Sequence, residues 1–347
     1  MTLARGKLML VWLSLGSAAC GSTDPTPNTV AGAAINDLGP SEYLQQYEGG
    51  LYPGGVNVMP TVHDSVGRVR AASIRRLDVN GAPSASGTYV LLSIGMSNAT
   101  QEWCTASAGS PCDPWTFTGK ATADAAVNHT SMVIANGAKG SETADKWDSP
   151  TDPNYNRVRD NVLSPLGLTE KQVEIVWLKD ADPDPISSLP SASSDAYHLE
   201  ASLGGIVRAL RNRYPNLQMV FLSSRIFAGY AVSTLNPEPY AYESGFSVKW
   251  LIEAQISQMA NGGTVVDNRA GNLNYNTVAP WIAWGPYLWA NGTTARSDGL
   301  TWIRSDFESD GTHPSTAGET KVANLLMGFF KGDTHTSCWF LAGATCP

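Results

Sequence analysis

Short apolar runs alternate with amphipathic stretches along most of the chain, and the two patterns predict different elements. Apolar runs predict buried strands at 90–94, 131–136, 172–178, 217–222 and 279–284. Apolar residues at helical spacing predict helices over 195–214, 244–259 and 314–330, and Thr316 and Glu319 are spaced as a capping box at the start of the last one. Strands separated by helices favour a parallel sheet that is covered on both faces, with a functional site at the carboxyl ends of its strands.

The region before this pattern predicts three further parts. A basic start, a short apolar run and small residues before Cys20 predict a signal peptide over residues 1–19, and the run is too short to span a bilayer. Cys20 resembles the acylated cysteine of a bacterial lipoprotein, with ordinary signal-peptide cleavage as the alternative. Residues 20–37 have the composition of a tether, and residues 38–85 predict an N-terminal flap packed on a main domain of 86–347. We expect a protein that is exported, and either anchored in the cell envelope through Cys20 or secreted.

Composition narrows both the class of function and the compartment. A chain of 347 residues, 42% of them hydrophobic, can bury a sizeable core. Its net charge of −8 and sequence pI of about 5.1 argue against a nucleic-acid partner. If Cys20 carries lipid, four of the five cysteines remain as two local pairs, Cys104 with Cys112 and Cys338 with Cys346. We expect both pairs to be disulfides in an oxidising compartment, with free thiols as the alternative.

One serine and one histidine stand where nucleophilic catalysis would need them. Ser97 follows the first predicted strand in the sequence GMSN, so a tight turn at the carboxyl end of that strand would present it. A serine nucleophile needs a base that is held by a third group. Asp310 and His313, in the sequence DGTHP ahead of the last helix, are spaced so that the carboxylate can accept from Nδ1 while Nε2 takes the serine proton.

The GMSN and DGTHP sequences resemble the first and last blocks of the SGNH (GDSL-like) hydrolases, and the GxSN form resembles the carbohydrate-acetylesterase side of that superfamily. The resemblance covers about residues 86–331. It implies a flavodoxin-like, three-layer α/β/α fold with a central parallel sheet, no metal or other cofactor, and ester hydrolysis through an acyl-enzyme. By position, Ser97 would be the nucleophile, His313 the general base and then acid, and Asp310 the group that orients the imidazole.

The same resemblance places the donors of an oxyanion hole. They would be the backbone N–H of the nucleophile and that of Gly140, after the second strand, with Gly137 as the less favoured choice. The family's third donor is an asparagine, and residues 172–190 contain none. Asp182 best matches that position. An ionised carboxylate cannot donate a hydrogen bond, so either Asp182 is protonated, or a donor such as Asn98 takes its place, or catalysis is impaired.

The sequence also predicts residues around the substrate. Asn98, beside the nucleophile, and Arg225, after the fourth strand, are candidates for substrate binding. Exposed aromatic side chains can stack on sugar rings. A carbohydrate substrate is therefore slightly favoured by the aromatic stretch 236–246 and by Trp281, Trp284, Trp289 and Trp302. We therefore expect an exported serine esterase that removes a small acyl group such as acetyl from a carbohydrate or related ester. The alternative is a surface lipoprotein that binds glycans without turning them over; in either case we expect contact with a membrane only through the lipid anchor.

Overall fold

A parallel sheet forms the centre of the molecule. The computed structural model describes residues 1, 32–105 and 111–346, and its strands are β1 (Glu42–Tyr43), β2 (Tyr47–Glu48), β3 (Tyr89–Gly95), β4 (Met132–Asn136), β5 (Val173–Lys179), β6 (Met219–Leu222) and β7 (Trp281–Trp284). The last five pair in the order β4-β3-β5-β6-β7, and every pair is parallel. This is the order of a flavodoxin-like, doubly wound sheet. The predicted fold class is confirmed.

The strands are buried because their sequences are almost continuously apolar. All residues of β5, β6 and β7 are buried, as are all of β3 after Tyr89, whereas the edge strand β4 is mostly half-buried. Parallel strands covered on both faces need apolar side chains on both faces, which is why the runs lack strict alternation. Each predicted strand lies within about two residues of the observed one.

Helices cover both faces of the sheet. They are α1 (Ile35–Leu38), α2 (Thr61–Ser73), α3 (Ser97–Cys104), α4 (Phe117–Ala123), α5 (Pro153–Val158), α6 (Asp195–Arg213), α7 (Tyr240–Ala260), α8 (Thr316–Gly332) and α9 (Ser337–Phe340). Helices α6 and α7 pack together on one face, and α3, α4 and α8 pack together on the other. The indole of Trp103 in α3 stacks on that of Trp177 in β5, with ring centroids 5.1 Å apart.

The region 38–85, predicted as an N-terminal flap, contains a helix that the sequence analysis missed. Helix α2 spans thirteen residues and leaves Val62 and Val69 exposed, so its apolar residues do not form the single face that predicts a helix. The helix is held instead by close packing of its backbone on the Trp281 ring, because a Cβ added at Gly67 would lie 2.4 Å from that ring. The hairpin of β1 and β2 packs on α7, where the ring of Tyr43 stacks on Phe246 at 5.6 Å.

The predicted capping box at the start of the last helix is wrong. Helix α8 begins at Thr316, after Ser315, and the side chain of Thr316 caps nothing. The carboxylate of Glu319 turns outward from its own helix, to accept hydrogen bonds from Trp115 Nε1 at 2.6 Å and Thr105 Oγ1 at 3.1 Å. A tertiary contact therefore outcompetes the local one, and it ties α8 to the segment after α3.

Both predicted disulfides are present, between Cys104 and Cys112 and between Cys338 and Cys346. The predicted signal peptide, Cys20 and most of the predicted tether lie outside the described residues. The end of the tether is described, and there Ile35 is fully buried in α1. Within the described ranges, none of the helices has the length and apolar character needed to cross a membrane.

Candidate active site

A glycine at the end of β3 sets the position of Ser97. Gly95 has φ +145°, and a Cβ there would lie 1.9 Å from the carbonyl oxygen of Lys179 on the neighbouring strand. Only glycine fits so close a backbone. Met96 continues in an extended conformation and Ser97 is the first residue of α3. The chain thus turns sharply from strand to helix and presents the serine at the carboxyl edge of the sheet.

The loop before α8 positions His313 through Asp310. Oδ1 of Asp310 accepts hydrogen bonds from the backbone N–H groups of Thr312 and His313, at 2.9 and 3.0 Å, and Oδ2 lies 2.5 Å from Nδ1 of the imidazole. The turn requires Gly311, which has φ +68° and packs against the carbonyl oxygen of Tyr230. The carboxylate therefore fixes both the loop and the ring that the loop carries.

Ser97 and His313, 216 positions apart in the sequence, meet in the structure. Nε2 of His313 lies 2.8 Å from Oγ of Ser97. With Nδ1–H donated to Asp310, Nε2 is left as the acceptor for the serine proton. Partial burial of Asp310 acts to raise its pKa, but the hydrogen bonds from the His313 ring and from the two backbone N–H groups outweigh it and hold the pKa below its usual range. The carboxylate is thus charged whenever the imidazole accepts a proton.

A cavity of about 160 Å³ opens in front of the serine. It is lined by Met96, Ser97, Asn98, Gly140, Ser141, Thr143, Asp182, Pro183, Arg225, Leu235, Asn236, Thr312 and His313. The sequence analysis did not single out Ser141, Thr143 or Leu235, because no pattern marks these loop residues. Among the described residues, no three His, Cys, Asp or Glu side chains are grouped so that they could hold a metal ion.

Two backbone N–H groups are available beside the serine. The N–H of Ser97 belongs to the first turn of α3, where no intrahelical acceptor exists. Gly140 lies next to Ser97, because a Cβ added at Gly140 would be 3.8 Å from the Ser97 Cβ. The N–H of Gly140 donates to no acceptor in the part of the chain described. The alternative, Gly137, packs instead against β3, where its Cβ would be 2.5 Å from the carbonyl oxygen of Ser93.

Asp182 lines the same cavity, on the loop after β5. Its Oδ2 is buried and makes no hydrogen bond with the described residues. Burial raises the pKa of this carboxyl to about 7, and the nearby charges of Asp195 and Asp145 add to the effect. Asn236 donates from Nδ2 to the backbone oxygen of Asp182 at 2.5 Å, which fixes the loop. At neutral pH the side chain is therefore close to the point at which it gains or loses a proton.

Asn98 and Arg225 border the cavity, but they are bonded to each other. Nη1 of Arg225 donates to Oδ1 of Asn98 at 3.0 Å, and Nδ2 of Asn98 donates to the carbonyl oxygen of Thr312 at 3.0 Å. The oxygen and one N–H of the Asn98 amide are thus occupied, and its side chain is fully buried. These contacts join Asn98 to the loop that carries His313, and its roles in substrate binding or as a substitute oxyanion donor stay predictions. Arg225 is 2% exposed, and its hydrogen bond to Oδ1 orients the Asn98 amide.

A buried ion pair lies beneath α3, the helix that begins at Ser97. Nζ of Lys179, at the end of β5, lies 2.5 Å from both carboxylate oxygens of Glu102 in α3, and neither side chain is exposed. The pair joins the helix that begins at Ser97 to the central strand of the sheet. Removing one partner would leave the other charge buried without compensation.

The tryptophans predicted to face a sugar belong to the core. Trp281, Trp284, Trp289 and Trp302 are each buried, and each indole N–H donates to an acceptor within the protein. That part of the prediction is wrong, because four apolar rings on the segment from β7 to the last helix are needed to fill the space beside the sheet. Apart from the imidazole of His313, no aromatic ring lines the cavity in the described chain.

Comparisons with known proteins found only distant structural similarity. No protein-family model matches the sequence, and no curated protein sequence matches it. Among solved structures the chain is similar to a GDSL-like lipase from Parabacteroides merdae, with 14% identity and a TM-score of 0.35 over 69% of this chain and 94% of that one. It is also similar to an acetyl xylan esterase, with 16% identity and a TM-score of 0.37 over 69% of this chain and 98% of that one. A third similar structure is a carbohydrate acetylesterase from Sinorhizobium meliloti, with 15% identity and a TM-score of 0.32 over 68% of this chain and 95% of that one.

Proposed function

We propose that this protein is a serine esterase that hydrolyses a small acyl ester through an acyl-enzyme on Ser97. The observation that carries the proposal is the continuous set of contacts from Ser97 Oγ to His313 Nε2, at 2.8 Å, and from His313 Nδ1 to Asp310 Oδ2, at 2.5 Å. A nucleophile in contact with a base, and a base held by a carboxylate, is the arrangement that activates serine for acyl transfer.

Catalysis would proceed in two halves. Ser97 Oγ forms a bond to the ester carbonyl carbon while its proton passes to His313 Nε2, and the carbonyl oxygen becomes an oxyanion. The bond to the alcohol then breaks, and the alcohol leaves with the proton from Nε2. In the second half, His313 takes a proton from water, the water oxygen attacks the acyl carbon, and the acid departs as Ser97 recovers its proton. Asp310 stabilises the imidazolium formed in each half.

The oxyanion would be held by the N–H groups of Ser97 and Gly140. Each preorganised donor of this kind contributes about 3–4 kcal/mol to the stability of the transition state. Asp182 borders the same cavity, and burial raises its pKa to about 7. We propose that Asp182 in its protonated form is the third donor, because a neutral carboxylic acid can donate the hydrogen bond that a carboxylate cannot.

The size of the cavity supports a short acyl group. A space of about 160 Å³ with Met96, Pro183 and Leu235 among its lining residues suits an acetyl or similar group, and the alcohol would extend outward. We propose that the protein is exported, either lipid-anchored through Cys20 or secreted. The two disulfides support this, since such bonds persist in oxidising compartments.

Covalent labelling tests the proposal. A fluorophosphonate reacts only with an activated serine, so we expect the purified protein to gain one adduct, which peptide mass spectrometry locates at Ser97. His313→Ala should label far more slowly, because the base is gone. An unlabelled wild-type protein that is folded, or a label at another serine, would contradict the proposal.

A second candidate function is glycan binding without turnover. The observation that favours it is Asp182, because a carboxylate ionised in the cavity would repel the oxyanion. The same labelling experiment separates the two functions, since a binding protein without an activated serine would remain unlabelled. Retention of the protein on a polysaccharide, together with absent labelling, would support this candidate.

A further inference from the structure

A second cleft, of about 350 Å³, lies on the face of the molecule formed by α6 and α7. It is lined by Tyr47, Tyr197, Trp250, Glu253, Ala254, Ser257, Val266, Asp267 and Arg269. None of these residues lines the cavity in front of Ser97. The volume lies at the lower end of the range for small-ligand sites in proteins.

Three half-buried aromatic rings form one wall of the cleft. The rings of Tyr197 and Trp250 are stacked, with centroids 5.1 Å apart and planes at 24°. Tyr47 of the β1–β2 hairpin lies 5.7 Å from Trp250, and its hydroxyl is 3.2 Å from that of Tyr197. Tyr and Trp rings at a surface offer an apolar face and a polar O–H or N–H group. They therefore suit a ligand that has both apolar faces and polar groups.

The charged groups that line the cleft already have partners in the protein, and Arg269 also lies 3.9 Å from the Glu200 carboxylate. Glu253 is paired with Lys249, Asp267 accepts from the backbone of its own loop, and the Arg269 guanidinium lies 4.1 Å above the Tyr197 ring. The cleft therefore already holds its own cation on the aromatic wall, which leaves less reason for a cationic ligand there. Partnered polar groups beside aromatic rings match a neutral ligand with many hydroxyl groups.

We propose that this cleft binds a segment of a carbohydrate chain. The inference rests on the proposed function, in that the bound chain would carry the ester that Ser97 cleaves. The catalytic cavity holds only a short acyl group and has no ring on which a sugar could stack, so the chain must be held elsewhere. Both places border α7, since Tyr240 at its start lines a small gap together with Asp182 and Asn236 of the catalytic cavity, and Trp250 lines the cleft. The helix advances about 15 Å from Tyr240 to Trp250, which an oligosaccharide spans and a single sugar does not.

Binding is best measured without turnover, in a Ser97→Ala background. We would run the protein in native gels that contain dissolved xylan, glucomannan or hydroxyethyl cellulose. We expect retardation by at least one of the three, and an apparent affinity at least about ten-fold weaker when Trp250→Leu removes the ring but keeps apolar volume. Tyr275→Ala is the matched control, because Tyr275 also lies beneath an arginine, Arg70, but outside the cleft. That variant should migrate as the parent does.

A second variant guards against loss of folding in the first. Ser257 is exposed on α7 and lines the cleft, so Ser257→Trp fills it without removing core packing. It should abolish retardation as well. The inference would be overturned if none of the three polysaccharides slowed the Ser97→Ala parent. It would also be overturned if folded Trp250→Leu and Ser257→Trp were retarded as strongly as that parent. Esterase activity of the native enzyme without retardation would overturn the cleft alone, and retardation without esterase activity would overturn only the proposed function.

Discussion

Arg225 donates from Nη1 to Oδ1 of Asn98 at 3.0 Å, and through this contact a buried cation orients the amide of the residue beside Ser97. Asn98 then donates to the carbonyl oxygen of Thr312, the residue before His313. Three segments are thereby joined: the loop after β6, the first turn of α3 and the loop that carries the imidazole. We infer that this connection sets the distance between Ser97 and His313, and that Arg225 and Asn98 are positioning residues.

Asn98→Asp should separate positioning from stability. The carboxylate keeps an acceptor for Arg225 and loses the donor to Thr312, so the loop that carries His313 is released. We expect kcat for p-nitrophenyl acetate to fall about 10–100-fold while KM changes less than about three-fold. The thermal midpoint should remain near that of the wild type. A kcat within two-fold of wild type would show that the connection does not position the base.

The buried pair of Glu102 and Lys179 predicts a non-additive effect on stability. Lys179→Met leaves the Glu102 carboxylate buried and unpaired, which should lower the free energy of unfolding by about 3–5 kcal/mol. The double variant Glu102→Leu/Lys179→Met should recover most of that loss, because no charge is then buried. Urea unfolding of the three proteins at pH 7 measures it. Equal instability of the single and double variants would contradict an ionic interaction.

Gly140→Ala tests the oxyanion site without straining the backbone. The new methyl group would lie 3.8 Å from the Ser97 Cβ, inside the cavity where the carbonyl oxygen must sit. We expect kcat/KM to fall by at least about ten-fold with little change in thermal midpoint. Gly137→Ala is the matched control: its methyl would lie 2.5 Å from the Ser93 carbonyl oxygen, so it should cost about 1–3 kcal/mol of stability. The reverse pattern would assign the oxyanion role to Gly137.

The carboxyl of Asp182 predicts a pH dependence. Its pKa is raised to about 7 in the folded protein, so the protonated, donating form is present below that pH and is lost as the pH rises through it. We expect kcat/KM of the wild type to decline between about pH 6.5 and 8. Asp182→Asn carries a neutral donor at every pH, so its rate should hold over that interval and exceed the wild-type rate at pH 8. Profiles with the same alkaline shape in both proteins would exclude Asp182 as the donor.

The sequence predicted the sheet because each strand is a short apolar run bounded by polar loop residues, a local property. It also predicted the elements that carry Ser97, Gly140 and the DGTHP loop, because turns and short spacings are local too. Helix α2 was missed because what holds it is a contact between Gly67 and Trp281, which no local pattern reveals. The capping box failed at Glu319 for the same reason, since its partners Trp115 and Thr105 are distant in sequence.

The environment of each site residue required the fold. The sequence alone could not show that Asn98 is hydrogen-bonded to Arg225 and Thr312, because the three residues lie on segments far apart in the sequence. Nor could it show that the tryptophans near β7 point into the core while Trp250 borders a surface cleft. The burial that raises the pKa of Asp182 likewise depends on segments of the chain that only folding brings together.

Hydrolysis of p-nitrophenyl acetate by purified Ser97→Ala, beside the wild type, tests the central claim most directly. The substitution removes the nucleophile and leaves the cavity, the imidazole and the donors in place. Our account predicts that kcat/KM falls by at least about a thousand-fold while the thermal midpoint stays within a few degrees of wild type. Hydrolysis at the wild-type rate by the pure, folded variant would contradict it.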